Sequence, residues 1–200
     1  MKLQDKIFTL LNIFLNLVKR LKKNTVMALG VLSYPKLKKE DFDTIQKYRK
    51  EHDELYFSIV RPHFSFVFPI TGIRKQRFIA EVIEKSNGMK SFEFEIKCAT
   101  INKDAFIDYY HLLLLPEIGY SNIIKLHDRL YSHLFFRELR MDIDFIPHMG
   151  IANSKDRYKV KSWVDNWNKK DFSISGMIDS LTVVDYTNNI LTDLHEVSLD

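Results

Sequence analysis

Two short segments hold the residues best suited to chemistry: Arg61-Pro62-His63-Phe64-Ser65-Phe66-Val67-Phe68-Pro69 and Phe145-Ile146-Pro147-His148-Met149-Gly150-Ile151-Ala152. Each sets a histidine directly after a proline in an apolar run. Extended chain alternates its side chains. His63, Ser65 and Val67 are therefore expected on one face and Phe64, Phe66 and Phe68 on the other; His148, Gly150 and Ala152 likewise oppose Met149 and Ile151. An imidazole with an ordinary pKa near ~6.5 is available in either protonation state around neutrality. One histidine can then take a proton from an attacking hydroxyl or water while the other gives one to the departing oxygen of a phosphodiester. Ser65 can donate a hydrogen bond to a non-bridging phosphate oxygen, where charge gathers in the transition state. Such chemistry needs no metal and no cofactor.

Few other side chains compete for that role. His127 and His133 are six residues apart on an expected helix and do not share a face, which disfavours zinc, and His52, His111 and His195 lack partners at metal spacing. The sequence shows no glycine-rich phosphate loop, nucleophile elbow or paired-carboxylate pattern. Cys98 is expected in the core of a strand. Arg74, Lys75 and Arg77 follow the first histidine segment, and Lys155, Arg157, Lys159 and Lys161 follow the second. They can flank a cleft and hold a nucleic-acid backbone, or simply be solvated helix faces. Tyr109, Tyr110, Tyr120 and Phe135 offer base-stacking surface or core.

The elements that must position the histidines alternate along the chain. Strands are expected over 26–33, 55–68, 91–101, 105–115 and 142–152, and helices over 38–52, 72–86, 122–136 and 158–169. A hairpin over 172–185 and 190–197 closes around Asn188-Asn189. The two halves repeat one order of helix, histidine strand, helix and strand, as a weak internal duplication would. The fold expected is α+β: two pseudo-symmetric lobes of antiparallel sheet with outer helices, the histidine strands facing each other across a central cleft. Residues 26–200 form this bilobal domain. Residues 1–25 form an amphipathic helical extension with Ile7, Leu10, Phe14, Leu17 and Leu21 on one stripe, broken by Asn12 and Asn16 and too short of apolar residues to span a bilayer.

The composition fits a folded chain of regular elements. Hydrophobic residues make up 46% of the 200 positions, with only 6 glycines and 5 prolines, which excludes disordered and collagen-like classes. The single cysteine rules out an intramolecular disulfide framework and suits a cytoplasmic setting. A net charge of +4 suits an anionic partner without demanding one.

The stretch from Leu32-Ser33-Tyr34-Pro35 through Asp41-Phe42, the two histidine segments and Leu126-His127-Asp128-Arg129-Leu130-Tyr131 resembles the two-histidine phosphoesterase superfamily, in its 2′-5′ RNA ligase-like branch. The resemblance runs from about Met27 to the last strand. It implies that each lobe supplies one His-x-Ser/Thr pair, with His63 and His148 catalytic and Ser65 orienting the phosphate. Gly150 stands where the second hydroxyl is expected, with Asn153 or Ser154 as candidate substitutes. The implied activity is metal-independent cleavage of 2′,5′-linked RNA or 2′,3′-cyclic phosphodiesters. The competing expectation is an RNA- or nucleotide-binding module with a degenerate second motif.

Overall fold

The computed structural model describes residues 26–200; the amphipathic extension expected over 1–25 lies outside the described residues. The chain runs β1 (Leu29–Ser33), β2 (Lys36–Leu37), α1 (Lys39–His52), β3 (Phe64–Ile70), α2 (Lys75–Ser86), β4 (Phe92–Lys103), β5 (Tyr110–Ile118), α3 (Tyr120–Leu130), a 3-10 helix (His133–Glu138), β6 (Met149–Ser154), α4 (Arg157–Asn168), β7 (Ile174–Ile178), β8 (Ser180–Thr187) and β9 (Ile190–Ser198). Two antiparallel sheets result, one in the order β3-β1-β8-β9 and the other β6-β5-β4-β7-β2. The fold is α+β, and the two orders match: each histidine-bearing strand, β3 or β6, lies at the edge of its sheet.

Local chemistry accounts for the element ends. Glu40 and Asp41 lie in the first turn of α1, where the helix dipole favours acids. Asp156 caps α4 through Oδ1, which accepts from the amides of Tyr158 at 2.9 Å and Lys159 at 3.2 Å. The β8–β9 hairpin turns at Asn188 and Asn189, with φ of 55° and 59°, the left-handed pair that a two-residue turn of matching twist requires.

One contiguous core joins both sheets to the helices. Phe64, Phe66, Phe78 and Val82 fill the side of the first sheet, and Ile96, Leu112, Leu114, Val160 and Val164 that of the second. A second, smaller cluster of Leu32, Val60 and Val184, with Tyr34, Tyr56 and Ile59 against it, lies apart from that core.

Several expected boundaries shift, each with a local cause or a measurable turn. The strand expected over 55–68 begins only at Phe64, because buried Arg49 captures the carbonyls of Tyr56 and Val60 and holds the preceding segment as turns. The strand expected from 105 starts at Tyr110, since Asp104 Oδ1 accepts the amides of Phe106 and Ile107 and turns the chain. The helix expected over 122–136 stops at Leu130, and His133 adopts a φ of 57° as the chain re-enters a 3-10 turn. The strand expected from 142 begins at Met149.

Candidate active site

His63 and His148 each stand one residue before the edge strand of their sheet. Their local geometries are copies. His63 Nδ1 hydrogen-bonds the carbonyl of Arg61 at 2.9 Å, and His148 Nδ1 that of Ile146 at 2.5 Å, in both cases two residues upstream and across a proline. A carbonyl only accepts, so Nδ1 carries the proton in each ring and Nε2 keeps its lone pair. Among the described residues, Nε2 of neither ring has a hydrogen-bond partner.

The registers extend the likeness. Ser65 pairs with Leu32 and Val67 with Val31, so Phe66 is an extra residue on β3; Gly150 pairs with Leu113 and Ala152 with Leu112, so Ile151 is an extra residue on β6. Both bulges fall at the third position after the histidine. A bulge reverses the alternation beyond it, which corrects two expectations: Val67 and Ala152, each 1% exposed, join the core instead of sharing the faces of His63 and His148, while Phe68 is only half-buried. Across the strands, the row Ser65–Leu32–Thr182 in the first sheet corresponds to Gly150–Leu113–Thr100 in the second. Cross-strand partners share a face, so the floors differ chiefly at serine versus glycine.

Burial favours the neutral form of both imidazoles. It pushes His63 down to about 4, helped by the charges of Arg49 and His148 and opposed by the Arg61 carbonyl. His148 is also lowered, by burial first and by His111 after it, against the Ile146 carbonyl.

A network invisible to motif reading ties the segment before His63 to the opposite histidine strand. Arg49, 1% exposed, donates through Nε to Asp53 Oδ2 at 2.9 Å and through its terminal nitrogens to Gln46 Oε1 at 3.0 Å and to the carbonyls of Tyr56 and Val60 at 3.1 and 2.7 Å. Asp53 Oδ1 in turn accepts from the Tyr56 amide at 2.9 Å and from Asn153 Nδ2 at 2.6 Å, while Asn153 Oδ1 accepts the Leu55 amide at 3.2 Å. Asn153, 2% exposed, is thereby engaged at both ends of its amide and does not replace the missing hydroxyl; Ser154 Oγ instead accepts the Asp156 amide at 3.2 Å. The only sequence signal for the network is the Arg-Asp pair four residues apart at the end of α1.

The other candidates resolve mostly into structure. Cys98 is exposed instead of buried, because a bulge at Lys97 reverses the face of β4. Phe135 is core, and His127 stacks on Phe145 with ring centroids 3.6 Å apart. Of the second basic group, Lys155, Arg157 and Lys159 lie over the rings of Tyr109, Tyr158 and Trp163, and Lys161 pairs with Asp165. Sequence reading missed Arg61 as a site residue: its guanidinium lies 3.9 Å from the centroid of Tyr34, whose ring meets His63 edge-on at 6.4 Å.

Residues 35–190 match the family described as the 2′-5′ RNA ligase superfamily. Among solved structures, LigT of E. coli complexed with 3′-AMP superposes with a TM-score of 0.54 at 14% identity, covering 86% of this chain and 98% of that one. TT0787 of Thermus thermophilus gives a TM-score of 0.56 at 12% identity over 86% and 98% of the respective chains. LigT of E. coli complexed with ATP gives 0.54 at 12% identity over 87% and 98%. No curated protein matches the chain. No helix among the described residues is long and apolar enough to cross a membrane.

Proposed function

From the membership of this chain in the 2′-5′ RNA ligase superfamily, we propose that it is a metal-independent phosphoesterase acting on 2′,5′-linked or 2′,3′-cyclic RNA-type phosphodiesters, with His63 and His148 as its acid–base pair. The observation that carries this reading is the duplicated imidazole geometry: each ring is locked by its own upstream carbonyl and presents an Nε2 without a partner among the described residues. Two such nitrogens can share one proton. The neutral ring accepts the proton of the attacking hydroxyl or water, and the protonated ring donates to the departing oxygen. Ser65 Oγ donates to a non-bridging oxygen as charge builds there. The nucleotide ligands of LigT, 3′-AMP and ATP, support a nucleotide-type substrate.

Gly150 favours a second reading, a nucleotide-binding module whose second motif has lost its hydroxyl and its turnover. Incubation with 2′,3′-cyclic nucleotides and 2′,5′-linked dinucleotides in EDTA separates the two. The enzyme reading predicts product that disappears in His63→Ala and in His148→Ala. Binding without product in the wild type contradicts it.

A further inference from the structure

The first sheet carries a cavity beside His63 that the acid–base pair leaves unused. It is lined by Tyr34, Arg61, Ser180, Thr182, Asp193 and Glu196. Successive cross-strand pairs place it on the site face: Ser65 pairs with Leu32, Leu32 with Thr182, and Thr182 with Glu196. At ~4.8 Å per strand, Glu196 lies roughly 14 Å across the sheet from Ser65, a span that seats phosphate over β3, ribose over β1 and a base over β8.

The lining matches a base edge. Tyr34 donates its hydroxyl to Asp193 Oδ1 at 3.1 Å, which fixes the ring beneath the guanidinium of Arg61 and leaves Asp193 Oδ2 open. Among the described residues, Arg61 has no carboxylate partner and Glu196 has neither a hydrogen-bond nor an ion-pair partner. Thr182 is only 6% exposed, lines the cavity, and its hydroxyl makes no hydrogen bond among the described residues. At the cavity wall this hydroxyl can donate to or accept from a ligand atom.

We infer that this cavity, lined by Arg61, Thr182, Asp193 and Glu196, is a nucleobase subsite that selects guanine. Among the four RNA bases, guanine alone presents two adjacent N–H donors, N1–H and the 2-amino group, on its Watson–Crick edge, and a carboxylate accepts both. Arg61 offers a planar cation for stacking or for O6 and N7. In the second sheet the row ends at Thr100, because β7 pairs with β4 only from Phe92 to Ile96, and the cavity on that sheet, beside Glu93, Glu95 and Ser175, is lined by no arginine. The base therefore lies on the His63 side and the substrate binds in one orientation. The inference rests on the phosphoesterase reading for its substrate.

The test is kcat/KM for the four 2′,3′-cyclic nucleotides, together with direct binding of the four nucleoside 2′-monophosphates by calorimetry. The guanosine compounds are expected to exceed the adenosine ones by about tenfold in both assays. Glu196→Gln and, independently, Thr182→Val are expected to flatten that preference. Turnover without preference for guanosine, or a preference untouched by either variant, overturns the inference and leaves the phosphoesterase reading standing. Selective guanosine binding without turnover supports the subsite and contradicts the phosphoesterase reading.

Discussion

Each imidazole is oriented by one hydrogen bond to a carbonyl two residues upstream, which leaves its Nε2 without a partner among the described residues. Replacing either ring with alanine removes one proton-transfer partner, and kcat on a 2′,3′-cyclic substrate is expected to fall by about 10²–10⁴-fold. Gly150 makes the opposite prediction. A Cβ at this position meets only Leu113 Cδ2, at 3.9 Å, so Gly150→Ser fits without strain. If the two lobes clasp one phosphate, the new hydroxyl stands opposite Ser65 and raises kcat, by up to about 10²-fold for a donor aimed at the developing charge. An unchanged or lower rate in a variant with wild-type melting temperature would show that the second lobe does not orient the phosphate. These residues were legible in the sequence because proline, histidine and strand alternation are local signals. Arg61 escaped notice because nothing local relates it to Tyr34, its stacking partner 27 positions earlier.

Among the elements, the segment between α1 and β3 departs furthest from its pattern. Val60 and the residues around it read as strand, yet they are held as turns because Arg49 is buried and takes its acceptors from their carbonyls. Asp53 neutralises that guanidinium and passes the contact on to Asn153, 100 positions away. Periodicity cannot report a partner at that separation. Asp53→Ala leaves the Arg49 charge buried and unpaired, and urea denaturation is expected to show a loss of about 3–5 kcal/mol. Asn153→Ala removes the link to β6 but leaves the ion pair intact, so its smaller loss should come with a fall in kcat as the two histidine strands lose their brace. A neutral Asp53→Ala would show that the network is not what holds this segment. The bulges at Phe66 and Ile151 were equally hidden: alternation places the three residues after each histidine correctly and fails at the fourth, Val67 or Ala152, just past the extra residue.

At the scale of the whole molecule, matching sheet orders, edge positions and bulges make the two halves near copies. The duplication was legible as a repeated order of elements, whereas the matching registers were not. The halves differ where the substrate would need direction: serine against glycine, Arg61 against Ile146, and in the first sheet a strand, β9, that carries Asp193 and Glu196 to the site face. Burial lowers both histidines, so the free protein binds the protons of His63 and His148 below the ordinary histidine value of ~6.5. The form with one ring protonated is therefore most populated on the acid side, and kcat/KM is expected to peak below pH ~6.5 and decline towards pH ~8. Stability runs the opposite way with pH. The unfolded chain takes up these protons at a higher pH than the folded one, so the stabilisation is complete above about pH 6.5 and declines as pH falls towards the folded value near 4. A rate peak above pH ~7.5 would contradict this electrostatic picture.

The proposal that both rings serve one phosphorus can be tested without turnover, by following the His63 and His148 ring resonances in an NMR titration with guanosine 2′-monophosphate. Both rings are expected to shift along one binding isotherm, with both titrations moving to higher pH as the phosphate stabilises the protonated forms. A response from one ring alone, or two different isotherms, would show that the histidines do not serve a common site.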